Sequence, residues 1–358
     1  MNENYYAVIM AGGVGSRFWP MSTKDYPKQF HDMLGTGESL IQKTFKRFER
    51  LIPTENILIS TNKNYEKLVR SQLENTTKKQ LLLEPSMRNT SPCILYAALK
   101  IYAQNPDAVM IIAPSDHWID DVPNFIENIE TAFEYCQQND VLMTLGIEPN
   151  SPNTGYGYIQ FENAQNEIKK VKKFTEKPNL ETAKEFINSG DYLWNAGIFI
   201  WSVKSIIKSF QKSLPEMYDL FSKGNNVYNS EFEDDFIETN YSKSQDISID
   251  FGILEKAQNV CVLPVDFGWN DLGTWGSLYE KLPKDNQNNA TVGGEVIFRD
   301  STNNIIRTQK NKKVVIQGLE NFIVVENEDV LLICPKTEEQ EIKEITKQVK
   351  KDFGDTFV

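Results

Sequence analysis

The stretch Ala7-Val8-Ile9-Met10-Ala11-Gly12-Gly13-Val14-Gly15-Ser16-Arg17-Phe18-Trp19-Pro20, with Pro27-Lys28-Gln29-Phe30 close behind it, decides how the rest of the chain is read. It opens on an unbroken apolar run, the pattern of a strand buried on both faces of a parallel sheet. The run breaks at Gly12, Gly13 and Gly15. These residues can take positive φ and place no Cβ between main-chain N–H groups and a ligand. Arg17, Lys24 and Lys28 follow. Backbone donors at such a turn, beside cations, make an anion site suited to a polyphosphate. The plainer alternative is a strand-to-helix connector.

Downstream, Ile41, Phe45, Phe48 and Leu51–Ile52 recur at helical spacing until Pro53. Ile57-Leu58-Ile59-Ser60, Leu81-Leu82-Leu83 and Val109-Met110-Ile111-Ile112 read as further buried strands. Ser91-Pro92 reads as an N-cap with proline at the first helical position, opening a helix to about Tyr102. Strands alternating with helices predict an α/β fold with a doubly wound, mostly parallel sheet. Ligands in such sheets bind beyond the carboxyl ends of the strands. The glycine turn, Glu84-Pro85-Ser86-Met87-Arg88-Asn89-Thr90 and Pro114-Ser115-Asp116-His117 all fall there.

Gly155-Tyr156-Gly157-Tyr158-Ile159 reads as a strand with glycine clearance. Residues 204–243 read as helices and loops, and Ser248–Lys256 as a helix. A polar linker at Pro283–Asn289 predicts domains at 1–282 and 283–358. The second is small and β-rich and ends in a helix with Ile342, Ile345, Val349 and Phe353 on one face. Thr337-x-x-Gln340 is read as its capping box.

A chain of 358 residues is long for one core. Its 40% hydrophobic and 25% charged residues are those of a globular protein. No apolar run approaches the ~20 residues that span a bilayer. The N-terminus enters the first strand without a basic region or cleavage site, which predicts a cytoplasmic protein. Cys93, Cys136, Cys261 and Cys334 are scattered and read as buried free thiols. Two histidines, His31 and His117, argue against a histidine-built metal centre. A net charge of −12 argues against nucleic acid as a partner, while a local focus of cations and a divalent metal can still hold a nucleotide.

The glycine turn is neither a dinucleotide fingerprint, because Phe18 stands where the third glycine belongs, nor a P-loop, because no G-K-[ST] ends it. The string G-G-x-G-x-R-x-W-P with P-K-Q-F behind it resembles the signature of sugar-1-phosphate nucleotidylyltransferases, and within them the mannose-1-phosphate guanylyltransferases. The resemblance covers roughly residues 5–280. It implies a Rossmann-like nucleotidyltransferase domain that joins GTP and mannose 1-phosphate into GDP-mannose and pyrophosphate. Long members of that family carry an additional phosphomannose isomerase domain. A chain ending at residue 358 is expected to hold the transferase activity alone, with a homodimer as its expected assembly.

Asp116 ends a buried strand, where a carboxylate is costly unless paired or metal-bound. Asp271 lies in the aromatic-lined turn Trp269-Asn270-Asp271-Leu272-Gly273. Two carboxylates suit Mg2+ when phosphates and waters complete its octahedron. The alternative is that Asp116 N-caps the next helix and Asp271 stabilises its turn. The resemblance implies magnesium at both. On that reading Arg17 and Lys28 clamp the β- and γ-phosphates, and His117 orients Asp116 rather than acting as a general base, because a phosphate monoester oxygen needs no deprotonation near neutral pH. Ala11, Gly12, Gly13, Gly15 and Ser16 then cradle the nucleotide. Glu84 and Asn89, in a segment resembling E-P-x-x-R-N-T-A-P, line the nucleoside pocket. Ser91 and Cys93 depart from that pattern. Lys177, in Phe-Thr-Glu-Lys-Pro, is implied to meet the sugar phosphate, with Glu176, Asn195 and Gly155 on the sugar. Without the resemblance, Glu176–Lys177 reads as an exposed ion pair, Arg17 and Lys28 as surface cations, and Lys24 as solvated. Rival functions are another nucleotide–sugar pair, a catalytically silent nucleotide-sugar sensor, or a metal-dependent glycosyltransferase, which would want a D-x-D pair.

Overall fold

The computed structural model describes residues 1–163 and 165–358. The chain forms two compact units: Met1–Gly12 with Phe45–Ser115 and Ile119–Trp269, and Gly13–Thr44 with Asp116–Trp118 and Asn270–Val358.

In the first unit the apolar runs become strands β1 (Tyr5–Met10), β2 (Ile57–Asn62), β3 (Leu81–Glu84) and β4 (Val109–Pro114). They pair in parallel, with Ala7 between Ile57 and Ile111. Then come β5 (Leu142–Ile147), β6 (Tyr158–Phe161), β7 (Lys169–Thr175), β8 (Tyr192–Ser202) and β9 (Val260–Val265). The nine strands lie in the order β3-β2-β1-β4-β8-β5-β9-β7-β6. β5 and β9 are parallel, whereas β8 runs against β4, β5 and β6, and β7 against β6 and β9. The sheet is thus mostly parallel in direction, with β7 and β8 reversed. A crossing strand of this kind leaves no trace in an apolar run, because burial on both faces reads alike in either direction.

Two local readings shift. The helix expected from Ser91 spans Thr90–Gln104 with Asn89 at its N-cap. Tertiary hydrogen bonds set that start: the Ile249 N–H donates to Thr90 Oγ1 at 2.8 Å and the Ser91 N–H to the Ile247 carbonyl at 3.1 Å. The helix expected over 248–256 is a widened π turn, Asp250–Leu254, in which the Glu255 N–H reaches back to the Asp250 carbonyl at 2.9 Å. The glycines of 155–157 precede β6 rather than lying within it. Helices Val203–Ser213, Pro215–Ser222 and Glu233–Asn240 occupy the polar stretch. That insert is tied down by a buried ion pair: Lys100 Nζ donates to both Glu233 oxygens at 2.7 Å, and the Tyr96 hydroxyl donates to the same carboxylate. All four cysteines are free; Cys93, Cys136 and Cys334 are buried and Cys261 half-buried.

The second unit holds short strands: β10 (Ala290–Val292), β11 (Glu295–Arg299), β12 (Ile305–Arg307), β13 (Lys313–Gln317), β14 (Phe322–Asn327) and β15 (Val330–Pro335). β10, β12 and β14 stack in parallel, β15 closes that sheet antiparallel, and β11 pairs with β13. Its core joins Phe18, Trp19 and Met33 to Leu272, Trp275, Ile305, Ile323 and Ile342. The final helix spans Ile342–Phe353, and Phe353 is exposed. The expected capping box is not made. A 3₁₀ turn covers Lys336–Glu341, and the Gln340 amide oxygen accepts instead from Arg17 Nε at 3.0 Å. Among the described residues no helix is long and apolar enough to cross a membrane.

Removing one partner of a buried ion pair strands the other charge. Glu233→Ala should therefore lower stability by about 3–5 kcal/mol, read as a shift in the urea midpoint. Lys100→Met with Glu233→Leu should restore most of it. A Glu233→Ala midpoint equal to wild type would show that the pair does not anchor the insert.

Candidate functional site

In the second unit the glycine turn shapes itself around one lysine. Gly15 has φ +72°, and a Cβ there would stand 2.5 Å from the Lys28 Cβ. Gly12 and Gly13, which can take positive φ, do not do so here, and a Cβ on either would meet nothing within 4 Å. The strain is confined to the one glycine that touches Lys28. The Lys28 N–H reaches the Val14 carbonyl at 3.3 Å, and the Ser22 hydroxyl donates to that same carbonyl.

Lys28 is buried, not a surface cation. Its Nζ donates to Asp116 Oδ2 and to the Asp271 carbonyl, each at 2.9 Å, 5.4 Å from the centre of the Phe18 ring. Trp118 and Asn270 exchange backbone hydrogen bonds of 2.8 and 3.0 Å, a short bridge that brings the segments carrying Asp116 and Asp271 side by side. Desolvation pushes the Asp116 carboxyl up, but the Lys28 charge, His117 and the Lys28 hydrogen bond outweigh it, so its pKa lies below the ordinary value. The next helix is N-capped by Asp121, not Asp116. Asp271 does hold its turn, accepting the Gly273 N–H at 3.0 Å. Arg17 is half-buried on Gln340, Ser16 opens the 3₁₀ turn Ser16–Phe18, and Lys24 is exposed.

Among the described residues no cluster of three or more His, Cys, Asp or Glu could hold a metal. The Lys28 contact brings together the Asp116 carboxylate and the Asp271 carbonyl, with the Asp271 carboxylate on the Gly273 N–H, so a cation here would take further ligands from water and phosphate. An all-oxygen donor set of that kind suits a hard divalent cation such as Mg2+ rather than zinc or copper. Asp116 is 31% exposed at its side chain even though it is ion-paired with the Lys28 ammonium at 2.9 Å, which leaves side-chain surface open to solvent.

In the first unit the main chain of Ala11 is engaged: its N–H donates to the Ser60 carbonyl at 2.7 Å and its carbonyl accepts from Thr61 Oγ1 at 2.8 Å. Glu84 is buried. Its oxygens accept from Ser60 Oγ at 2.8 Å and the Tyr241 hydroxyl at 2.6 Å, and burial raises its pKa. Asn89 takes φ +55° and donates to Asp246 Oδ1 at 2.6 Å, while Arg88 Nη2 donates to the Ser242 carbonyl at 2.6 Å. Residues 241–249 thus strap the loop 84–91 at several points. No local pattern announces this strap, because its partners lie some 157 positions away.

At the far end of the strap stands a second constellation. Glu176 Oε1 pairs with Lys177 Nζ at 2.8 Å; Lys177 is exposed, as the plain ion-pair reading expected, and its backbone has φ +45°. The Gly155 N–H is taken by Asn153 Oδ1 at 2.7 Å. The glycine that borders the cluster is Gly157, where a Cβ would lie 2.5 Å from Glu176 Oε2 and 3.4 Å from the Asn195 Cβ. Asn195 Nδ2 donates to Asp250 Oδ1 at 3.0 Å. Burial first, then the nearby Glu176 charge, push the Asp250 carboxyl up to about 6. Sequence reasoning passed over Asp250 and Gly157. An acid between apolar neighbours, Ile249-Asp250-Phe251, was the available signal.

Residues 6–288 match the family described as nucleotidyl transferase, and residues 294–349 the MannoseP isomerase/GMP-like beta-helix domain. A mannose-1-phosphate guanylyltransferase of Escherichia coli is 32% identical over 361 residues, 98% of this chain and 76% of that protein. The alginate biosynthesis protein AlgA of Pseudomonas aeruginosa is 34% identical over 352 residues, 96% of this chain and 71% of that protein. A crystal structure described as mannose-1-phosphate geranyltransferase from Thermus thermophilus aligns with a TM-score of 0.88 at 29% identity, covering 97% of this chain and 99% of that one.

Because Lys28 is what holds the Asp116 carboxyl down against desolvation, Lys28→Met should raise the Asp116 pKa above the ordinary aspartate value. Carboxyl-carbon NMR titration of ¹³C-labelled protein, with Asp116→Asn to assign the resonance, measures this. An Asp116 pKa unmoved by the substitution would break the link.

Proposed function

This chain belongs to the nucleotidyl transferase family, and on that premise we propose that it transfers GMP from GTP to α-D-mannose 1-phosphate, giving GDP-mannose and pyrophosphate. The relatives named for that reaction support the substrate pair. The observation that carries the chemistry is the buried Lys28 ammonium beside the glycine turn, set on Asp116 and the Asp271 carbonyl.

In this reading residues 12–16 hold the triphosphate with main-chain donors, Ala11 following directly on the strand that presents them, and Arg17 and Lys28 face its β- and γ-phosphates. Glu84 and Asn89 shape the nucleoside side. Glu176, Lys177 and Asn195 serve the sugar phosphate. A phosphate oxygen of mannose 1-phosphate attacks the α-phosphorus in line. A new P–O bond forms, and the bond to the bridging oxygen breaks with its electrons leaving on pyrophosphate. The nucleophile is already anionic near neutral pH, so no side chain need remove a proton. Positioning and neutralisation of the departing charge supply the rate. Asp116 and Asp271 would hold the divalent cation, Mg2+ in this proposal, which supplies charge neutralisation at the phosphates. We further assign 1–282 as the catalytic domain and 283–358 as a packing or dimer-contact domain, in a cytoplasmic homodimer.

Turnover of GTP, ATP, UTP and dTTP, each with mannose 1-phosphate and glucose 1-phosphate and with or without Mg2+, tests the reading. GTP with mannose 1-phosphate should lead the panel, and any other leading pair would overturn it. Asp116→Asn should cut kcat by about 10²-fold or more in a protein with an unchanged circular dichroism spectrum; near-normal turnover would remove the metal assignment. Lys177→Ala should raise the KM for mannose 1-phosphate about tenfold, the worth of one charge-assisted hydrogen bond. The KM for GTP should stay within about twofold, and an equal rise in both would displace Lys177 from the sugar side.

A further inference from the structure

The Asn195 amide is the most tightly specified side chain of the sugar-side cluster. Its Oδ1 accepts from Thr144 Oγ1 at 3.0 Å and from the Gly197 N–H at 3.1 Å, which fills both lone pairs. Its Nδ2 carries two N–H groups, and one goes to Asp250 Oδ1 at 3.0 Å. Turned over, the amide would set an NH₂ against the Gly197 N–H and an oxygen against a carboxylate. Only one orientation is tenable, and it leaves a single N–H to offer.

Asp250 is held as firmly as it holds. The Ile249 N–H donates to Thr90 Oγ1, the Asp250 carbonyl accepts from Glu255 across the π turn, and a Cβ on Gly252 would stand 2.9 Å from Leu214 Cδ1. Keeping an acid here has an electrostatic cost, since Glu176 lies close enough to raise it. A neutral acceptor would complete the same hydrogen bond without that cost. What a carboxylate adds is that it can only accept, so the amide opposite can only donate.

We propose that Asp250 is a positioning residue for the sugar 1-phosphate: it locks the Asn195 amide so that its remaining N–H meets a sugar oxygen beside the Glu176 acceptor, a donor and an acceptor together suited to adjacent hydroxyls of a hexose. The inference deepens the reading under Proposed function and rests on it. Asp250 acts through Asn195 and does not itself touch the sugar. Its strap also carries Asp246, the partner of Asn89, so one segment braces both the loop 84–91 and the sugar-side amide.

The test is steady-state kinetics of Asp250→Ala, Asp250→Asn, Asn195→Ala and the Asn195→Ala/Asp250→Ala double variant. Asp250→Ala should raise the KM for mannose 1-phosphate about tenfold, with kcat and the KM for GTP within about twofold. Asp250→Asn should recover most of the loss, because its amide oxygen still accepts. The double variant should be no worse than Asn195→Ala alone, the non-additivity expected of residues acting as one unit. If the two losses multiply, Asp250 contacts the sugar directly and the proposal fails. It fails too if Asp250→Ala lowers kcat and raises both KM values together with a fallen melting temperature. Wild-type turnover of GTP with mannose 1-phosphate in the same assay tests the underlying reading. Were another sugar phosphate the substrate, the same ratios measured on it would still decide the role of Asp250.

Discussion

One buried ammonium organises the second unit. Lys28 has almost no access to water, so each of its N–H groups has to find an oxygen inside the protein or forfeit several kcal/mol of solvation. It finds Asp116 and the Asp271 carbonyl, residues that the Trp118–Asn270 bridge delivers from distant parts of the chain. The glycine turn then follows as a consequence. With Gly15 so close to the Lys28 Cβ, any larger residue would push the lysine off its acid. Phe18 and Trp275, with ring centroids 5.0 Å apart, wall the same place with apolar surface. A cation fixed on a carboxylate beside a glycine turn is a prepared place for phosphate, because its electrostatics are set before the ligand arrives.

The first unit solves a different problem, that of holding irregular segments still. Residues 85–89 lie outside regular structure, where backbone alone does not fix a side chain, and Asn195 sits on β8 with its amide still to be oriented. The strap at 241–250 supplies the missing constraints through Tyr241, Ser242, Asp246 and Asp250. The strap itself is anchored through the helical insert to Lys100 by the buried Glu233 pair. The chain from the helical insert to Asp250 therefore braces the loop after β3 and the Asn195 amide.

How far the sequence could be read follows from this division. Strands β1 to β4 were legible because an unbroken apolar run has one economical use in an α/β chain. The glycine turn with its cations was legible because strand, glycine and lysine are close in sequence. Glu84 was legible as a notable acid, but its engagement by Ser60 and Tyr241 was not. The helix start at Thr90 and the unmade capping box at Gln340 share one cause. At Thr90 and Gln340 a long-range hydrogen bond overrides a local preference worth about 1 kcal/mol.

The sequence by itself determined the elements whose information is local: buried strands, the breaking of the first one at glycine, and the supply of basic and acidic residues around that break. Only the tertiary structure decided which acid meets which cation, that Gly15 and not Gly12 or Gly13 carries the strain, and that Asp250 governs Asn195. The reason is physical. Periodicity and composition report how each residue partitions between water and protein, a property of the residue and its near neighbours. Pairing between polar atoms depends on distances that exist only once remote segments have been packed together, and no window of sequence contains them.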